Sequence, residues 1–272
     1  MRIAYARHLD GKLAETFQLP EGVMISRRRL LTLGALLLLP QVASAQEKAV
    51  PVMRFSELAG GAPLPDWLEP VTFGGKAKPT EFALVEDEAR TVLRARARAS
   101  ASGLGRTLRV DPAAYPILAW RWKAANLVEH GDLRKKEGDD FALRLYVTFD
   151  LDPSVLSLAD RMRLSLARAV WGSRLPVAAL CYVWDRQAEQ GTIAPNAYTD
   201  RVRMVVADSG PGAVGRWVAH ERDVAADFKL AFGMPAPFVA SVIVSADTDN
   251  TGESTEAWFG DVEFRARAAP RQ

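Results

Sequence analysis

The acidic side chains between two predicted strands at 240–264 are the most concentrated source of chemistry in the sequence. Oxygen-bearing residues and a glycine occupy positions one, three, five and six of a calcium loop. Position twelve is Trp258, where such a loop has a bidentate glutamate, so another acid has to complete the shell. The alternative is a turn whose side chains bond their own backbone. The spacing predicts a structural calcium site at Asp247, Asp249, Thr251 and Glu253.

Basic side chains alternate with apolar ones along several predicted strands, and a tyrosine accompanies them. If these strands share one sheet, the polar residues gather on the face turned away from the core. Arginine binds carboxylates through paired hydrogen bonds, so this face suits an anionic sugar or another carboxylate ligand. The alternative is a solvated face whose bases pair with neighbouring acids. The candidate ligand-binding residues are Arg121, Lys123, Arg144, Tyr146, Arg201 and Arg203.

Residues suited to catalysis are sparse. His130 and His220 are the two histidines beyond residue 45, and neither has metal-ligand spacing around it. The sequence has no GxSxG nucleophile motif and no phosphate-binding glycine loop. Asp140 with a loop acid such as Glu253 could form the carboxylate pair of a glycosidase, which makes a hydrolase an alternative function. We assign no catalytic residue.

The charge balance excludes a general nucleic-acid-binding protein. The 272 residues are 49% hydrophobic and 25% charged, with a formal net charge of +2. Residues 1–45 carry six of the bases and three of the acids, which leaves 29 bases and 30 acids in the remainder. Nucleic-acid binding depends on a basic footprint, and a nearly neutral body provides none.

The N-terminal region resembles an export signal. Arg27–Arg29 precede the apolar run Leu30–Leu39, and Ala43–Ala45 form a small-residue cleavage site that predicts a mature start at Gln46. The arginines fit either a twin-arginine or a general secretory signal, and Met24 could be the true start. No other stretch approaches the length of a membrane span. We therefore expect a periplasmic or secreted protein.

Strands are expected throughout the body of the chain. Phe141, Leu143, Leu145, Val147 and Phe149 alternate with polar residues, which is typical of a half-buried strand. Short helices are predicted near 152–172 and 223–233, Gly103 and Gly105 are predicted to mark a turn, and Cys181 is predicted to be a buried thiol. The pattern predicts an antiparallel β-sandwich of the jelly-roll kind. The predicted organisation is a signal region at 1–45, an extended lead-in at 46–70 and one sandwich domain at 71–272.

Tryptophans could stack on sugar rings, but their places in apolar strand faces favour core packing. Trp258 in particular is predicted to share a buried face with Val262 and Phe264. The tryptophans concerned are Trp120, Trp122, Trp171, Trp184, Trp217 and Trp258.

Several of these stretches resemble the bacterial domain-of-unknown-function family 3047. The resemblance covers most of residues 65–266 and implies an exported protein with no assigned activity. The strands WRWK and AWFGDVEF also resemble parts of galactose-binding-type carbohydrate modules. We therefore expect a carbohydrate-binding sandwich, with an envelope hydrolase or a non-catalytic scaffold as alternatives. The matching stretches include AWRWK at 119–123, GDDFALRLYVTFD at 138–150, YVWD at 182–185, PNAYTDRVRMVV at 195–206, RDVAADFKLAFG at 222–233 and DTDNTGESTEAWFGDVEF at 247–264.

Overall fold

A computed structural model describes residues 49–73, 77–155 and 177–268, together with 157–159, 161, 162 and 165. Every described residue belongs to one compact unit within Ala45–Gln272. The predicted signal region lies outside the described residues and stays a prediction. Within the described ranges, no helix is both long and apolar enough to cross a bilayer.

The described residues form two β-sheets. One sheet has the strand order β11-β6-β13-β4-β3, with β1 also paired to β13. The other has the order β2-β5-β12-β7-β8-β10-β9. The strands are β1 Ala49–Met53, β2 Glu69–Val71, β3 Glu81–Asp87, β4 Arg90–Arg98, β5 Ala101–Val110, β6 Ile117–Ala124, β7 Arg144–Phe149, β8 Ala178–Asp185, β9 Ile193–Asn196, β10 Thr199–Ser209, β11 Val218–Asp223, β12 Val239–Asp247 and β13 Ser254–Arg265.

The sandwich predicted from the sequence is confirmed. Neighbouring named strands pair antiparallel in both sheets, apart from β8 and β10, which run parallel. The segment 46–70, predicted as an extended lead-in, contributes β1 and the start of β2 to these sheets. Trp67 packs against the core and lies 6.5 Å from the ring of Phe55.

The α-helix that follows β11 begins and ends where the sequence signals predict. Helix α1 spans Val224–Phe232, and the Asp223 carboxylate accepts a hydrogen bond from Ala226 N at 2.9 Å. Gly233 ends the helix with φ 74°, a conformation that glycine adopts without steric cost. Most of the helix predicted near 152–172 lies outside the described residues.

Side-chain alternation along β7 separates two apolar clusters. Leu145, Val147 and Phe149 face the main core between the sheets, as predicted, and Leu143 joins them. Phe141 does not, because β7 begins only at Arg144 and residue 141 belongs to the preceding loop. A second cluster therefore covers the outer face of the seven-stranded sheet; it contains Leu133, Phe141, Cys181, Val183, Met204 and Val206.

Cys181 lies in this second cluster and is fully buried. Burial raises the pKa of its thiol to about 12, which keeps the thiol protonated and inert. Gly103 and Gly105 do not mark a turn; they lie inside β5, where Ile243 of the neighbouring strand packs over both. A Cβ at Gly103 would come within 2.9 Å of the Val244 carbonyl oxygen.

A buried arginine joins the loop before β7 to the hairpin between β12 and β13. Arg144 is 1% exposed, and its Nε and Nη2 lie 2.8 and 2.7 Å from the two carboxylate oxygens of Asp247. Its Nη1 donates to Asp139 Oδ1 at 3.2 Å, and Nη2 donates to the Asp139 carbonyl oxygen. The ring of Phe141 lies 4.6 Å from the guanidinium carbon. Ion pairs of Arg144 therefore hold the loop before β7 to the end of β12.

Replacement of Arg144 by Met should lower the free energy of unfolding by about 3–5 kcal/mol, because two buried carboxylates lose their counter-charge. Denaturant unfolding measures the effect, and the exposed Arg98→Met is the control, expected to unfold like the wild type. Adding Asp247→Asn to Arg144→Met should recover part of the loss. A wild-type unfolding curve for Arg144→Met would show that the network does not stabilise the fold.

The β3–β4 hairpin offers a test in the stabilising direction. Glu88 and Ala89 form its two-residue turn with φ of 49° and 59°, which costs side-chain-bearing residues about 1–2 kcal/mol each. Such turns favour Asn-Gly. Glu88→Asn with Ala89→Gly should raise the thermal midpoint, whereas Ala114→Gly, in a turn without positive φ, should lower it. Equal effects of the two changes would contradict the assigned turn.

Candidate ligand-binding site

The six predicted ligand-binding residues do not lie on one face. Arg121 and Lys123 belong to β6 of the six-stranded sheet, whereas the other four belong to β7 and β10 of the seven-stranded sheet. The expectation of a single basic face is wrong, because the pairing of strands places β6 and β7 in different layers. Arg121 and Lys123 therefore lie in a different environment from the four residues of β7 and β10.

Arg144 and Tyr146 are engaged within the protein. The guanidinium of Arg144 is occupied by Asp139 and Asp247, so it is not available to a ligand. The ring of Tyr146 lies 5.5 Å from that of Phe73 and packs against the second apolar cluster. On β10, Arg201 lies 3.6 Å from Asp200, and Arg203 lines a separate pocket.

Arg121 and Lys123 meet two part-exposed tryptophans on the outer face of the six-stranded sheet. The Arg121 guanidinium carbon lies 4.3 Å from the ring centroid of Trp217. Lys123 Nζ lies 4.6 Å from the Trp258 centroid and 5.2 Å from that of Trp217. Asp87 accepts hydrogen bonds from Lys123 Nζ and Trp217 Nε1, both at 2.6 Å. We call these five residues the tryptophan patch.

A break in the register of β13 creates the patch. Trp258 pairs with Lys123 on one side and Arg94 on the other, and the register shifts between Phe259 and Val262. Such a bulge reverses the facing of the residues beyond it. Trp258 therefore points outward while Phe259 and Val262 are buried, so the prediction that Trp258 shares a buried face with Val262 is wrong.

A glycine gives Arg121 its place in the patch. A Cβ at Gly260 would lie 2.5 Å from Arg121 Cγ and 2.6 Å from its Nε, so the arginine crosses directly over the glycine. A side chain at position 260 would displace Arg121 from Trp217. The β-bulge and Gly260 together place the arginine and the tryptophan side by side.

The patch carries a local excess of positive charge. Arg94 and Arg96 share one carboxylate, that of Glu256, at 3.5 and 2.8 Å. Arg121 forms no ion pair with any residue that the structure describes. Burial raises the pKa of Asp87, but hydrogen bonds from Lys123 and Trp217 outweigh this effect and hold the pKa below its ordinary value. Asp87 therefore remains ionised and keeps both partners in position.

The remaining tryptophans differ in burial. Trp120, Trp122 and Trp184 are buried in the core, as predicted. The sequence predicts core packing for Trp217, but this residue is part-exposed on the outer face. It precedes β11, so the alternation that marks a strand has not yet begun there. Trp171 lies outside the described residues.

The acidic loop gathers a different set of carboxylates from the predicted one. Oxygens of Asp140, Asp247 and Asp249 lie within 4.8 Å of one another, and Asp140 comes from a distant part of the sequence. Burial raises the pKa of Asp247 to about 7, although the positive charge of Arg144 opposes the rise. The nearby carboxylates of Asp139 and Asp140 contribute a smaller increase. These three oxygens could hold a divalent cation, and calcium stays a prediction.

The other two predicted metal ligands have different partners. Thr251 donates its backbone N–H to Asp140 Oδ2 at 2.6 Å. The carboxylate of Glu253 turns away and accepts from the backbone N–H groups of Glu129 and His130 at 2.7 and 2.9 Å. Asp140 is fully buried and Glu253 anchors another loop, so the proposed hydrolase pair has separate structural tasks.

Similar solved structures include two carbohydrate-binding modules from Clostridium thermocellum cellulosomal cellulases. The family 11 module of Lic26A-Cel5E has a TM-score of 0.40 at 8% identity and covers 83% of this chain and 99% of its own. The family 30 module of Cel9D-Cel44B has a TM-score of 0.32 at 13% identity and covers 82% and 99%. The glycoside hydrolase domain of Endo-D from Streptococcus pneumoniae R6 has a TM-score of 0.31 at 10% identity and covers 75% and 22%. Similarity at this level assigns no binding site.

A comparison with curated proteins finds no match. The profile of one family, described as a protein of unknown function (DUF3047), matches residues 65–263, which is most of the chain. The resemblance seen in the sequence is thereby confirmed, and the chain belongs to the DUF3047 family.

Proposed function

We propose that this β-sandwich binds an acidic glycan along the tryptophan patch. The observation that carries the proposal is the outward display of Trp217 and Trp258 beside the unpaired Arg121 on a sheet face. A buried aromatic would serve packing alone, whereas a part-exposed one offers an apolar surface to a ligand.

Each member of the patch has a distinct task in this proposal. The two indole rings supply flat apolar surface against which the C–H groups of a sugar ring pack. Arg121 supplies paired N–H donors for a carboxylate on that sugar. The ion pair of Lys123 with Asp87, at 2.6 Å, holds the cation between the rings and fixes Trp217 through its indole N–H.

The local charge favours an acidic sugar over a neutral one. Arg94 and Arg96 have one carboxylate between them, and Arg121 and Lys123 have that of Asp87, whose ion pair is with Lys123. Attraction between exposed charges is screened by salt, so binding of an acidic glycan should weaken as ionic strength rises. The predicted export signal would bring this face to the glycans outside the cytoplasm.

Polygalacturonate and its carboxyl-reduced form test the proposal as a matched pair of probes. The protein should bind polygalacturonate and should bind the reduced polymer at least tenfold more weakly, since the reduced sugar offers Arg121 no carboxylate. Affinity electrophoresis or calorimetry at two salt concentrations measures both. Arg121→Met should bring the two polymers to equal affinity, and Trp258→Ala should weaken both about tenfold.

Lys229→Met removes a positive charge from α1, away from the patch, and should leave both affinities unchanged. Thermal unfolding checks that each variant is folded. Failure of the wild-type protein to bind either polymer would reject this glycan class. Equal loss of binding in Lys229→Met and Arg121→Met would show that net charge, and not the patch, controls retention.

A further inference from the structure

A second arginine faces a pocket formed by α1 and the edge of the seven-stranded sheet. The pocket has a volume of about 430 Å³, which is in the range of small-molecule sites. Arg203 of β10 is its charged residue, and apolar side chains form most of the remaining wall. The lining residues are Gly191, Ile193, Ala194, Pro195, Arg203, Leu230 and Ala231.

The guanidinium of Arg203 lacks a partner for its buried N–H. Its Nε is inaccessible to solvent and makes no hydrogen bond, and Arg203 forms no ion pair with the residues described by the structure. Its guanidinium carbon lies 5.5 Å from the ring centroid of Phe232, at the end of α1. The two terminal nitrogens are not buried in this way and have no hydrogen-bond partner among the described residues, so they are open to an acceptor in the pocket.

The surroundings of Arg203 differ from those of the other arginines discussed above. Arg144 is held by two carboxylates, and Arg121 lies on an open sheet face. Arg203 is instead part-exposed in an open pocket beside small and aliphatic residues, and Leu230 at the rim has 76% of its surface exposed. An apolar wall with one cationic donor fits a ligand that has an apolar body and one anionic end.

We infer that this pocket binds a small monocarboxylate with an apolar chain, such as a medium-chain fatty acid. The two carboxylate oxygens accept from the terminal guanidinium nitrogens of Arg203, a paired contact that arginine forms readily. The chain packs on Ile193, Pro195 and Leu230. None of the described lining residues is an aromatic on which a sugar could stack, which distinguishes the pocket from the tryptophan patch.

Calorimetry with octanoate, octanol and octylamine tests the inference on the whole protein. Octanoate should bind in a saturable one-to-one manner, octanol at least tenfold more weakly, and octylamine not at all. Arg203→Gln should reduce octanoate affinity at least tenfold and should remove the preference over octanol. Octanol binding as tightly as octanoate in the wild type would overturn the role given to Arg203.

Leu230→Glu is a second variant, and it leaves Arg203 in place. It places a negative charge at the pocket rim on an exposed position, so it should weaken octanoate binding at least tenfold without lowering the thermal midpoint. Lys229→Gln changes the net charge equally on the neighbouring residue, which does not line the pocket, and should retain wild-type affinity. Octanoate affinity unchanged in both Leu230→Glu and Arg203→Gln would exclude the pocket, as would no binding to the wild type at millimolar octanoate.

Discussion

The buried guanidinium of Arg144 is the constraint on which the outer face of the seven-stranded sheet depends. Removing a guanidinium from water is unfavourable unless carboxylates and carbonyl oxygens surround it. Asp139 and Asp247 meet that need from opposite sides, one from the loop before β7 and one from the end of β12. The loop must therefore lie across the sheet, and Phe141 and Leu133 then cover apolar residues that would otherwise face water.

This arrangement gives the two sheets different outer faces. The seven-stranded sheet is covered by a second apolar cluster around Cys181, so its central strands have little exposed surface. The six-stranded sheet keeps charged and aromatic side chains at its surface, with Trp258 between Lys123 and Arg94 in neighbouring strands. An extended ligand therefore finds aromatic surface on the six-stranded sheet, and the seven-stranded sheet offers a pocket at its edge.

The sequence predicts those features whose cause is local. Alternation identifies β7, and the Asp223 cap and Gly233 give the ends of α1, because each depends on residues within one element. Whether Arg144 is exposed depends on a loop that packs over it, and the partition of β6 and β7 into separate sheets depends on distant strand pairs. Asp140 joins Asp247 for the same reason, since 107 positions separate them and only the fold brings them together.

The residues around each of three arginines determine whether its guanidinium is available to a ligand. Arg144 has a carboxylate on either side, so its charge is used entirely for folding. Arg121 has an indole ring 4.3 Å away and no carboxylate in ion-pair contact, so its donors remain open at the surface. Arg203 lines a pocket and has no ion pair with the described residues, so its terminal nitrogens remain open to an acceptor from outside the chain. A basic residue in a strand pattern therefore becomes a binding candidate only when the carboxylates that the fold places around it are too few to neutralise it.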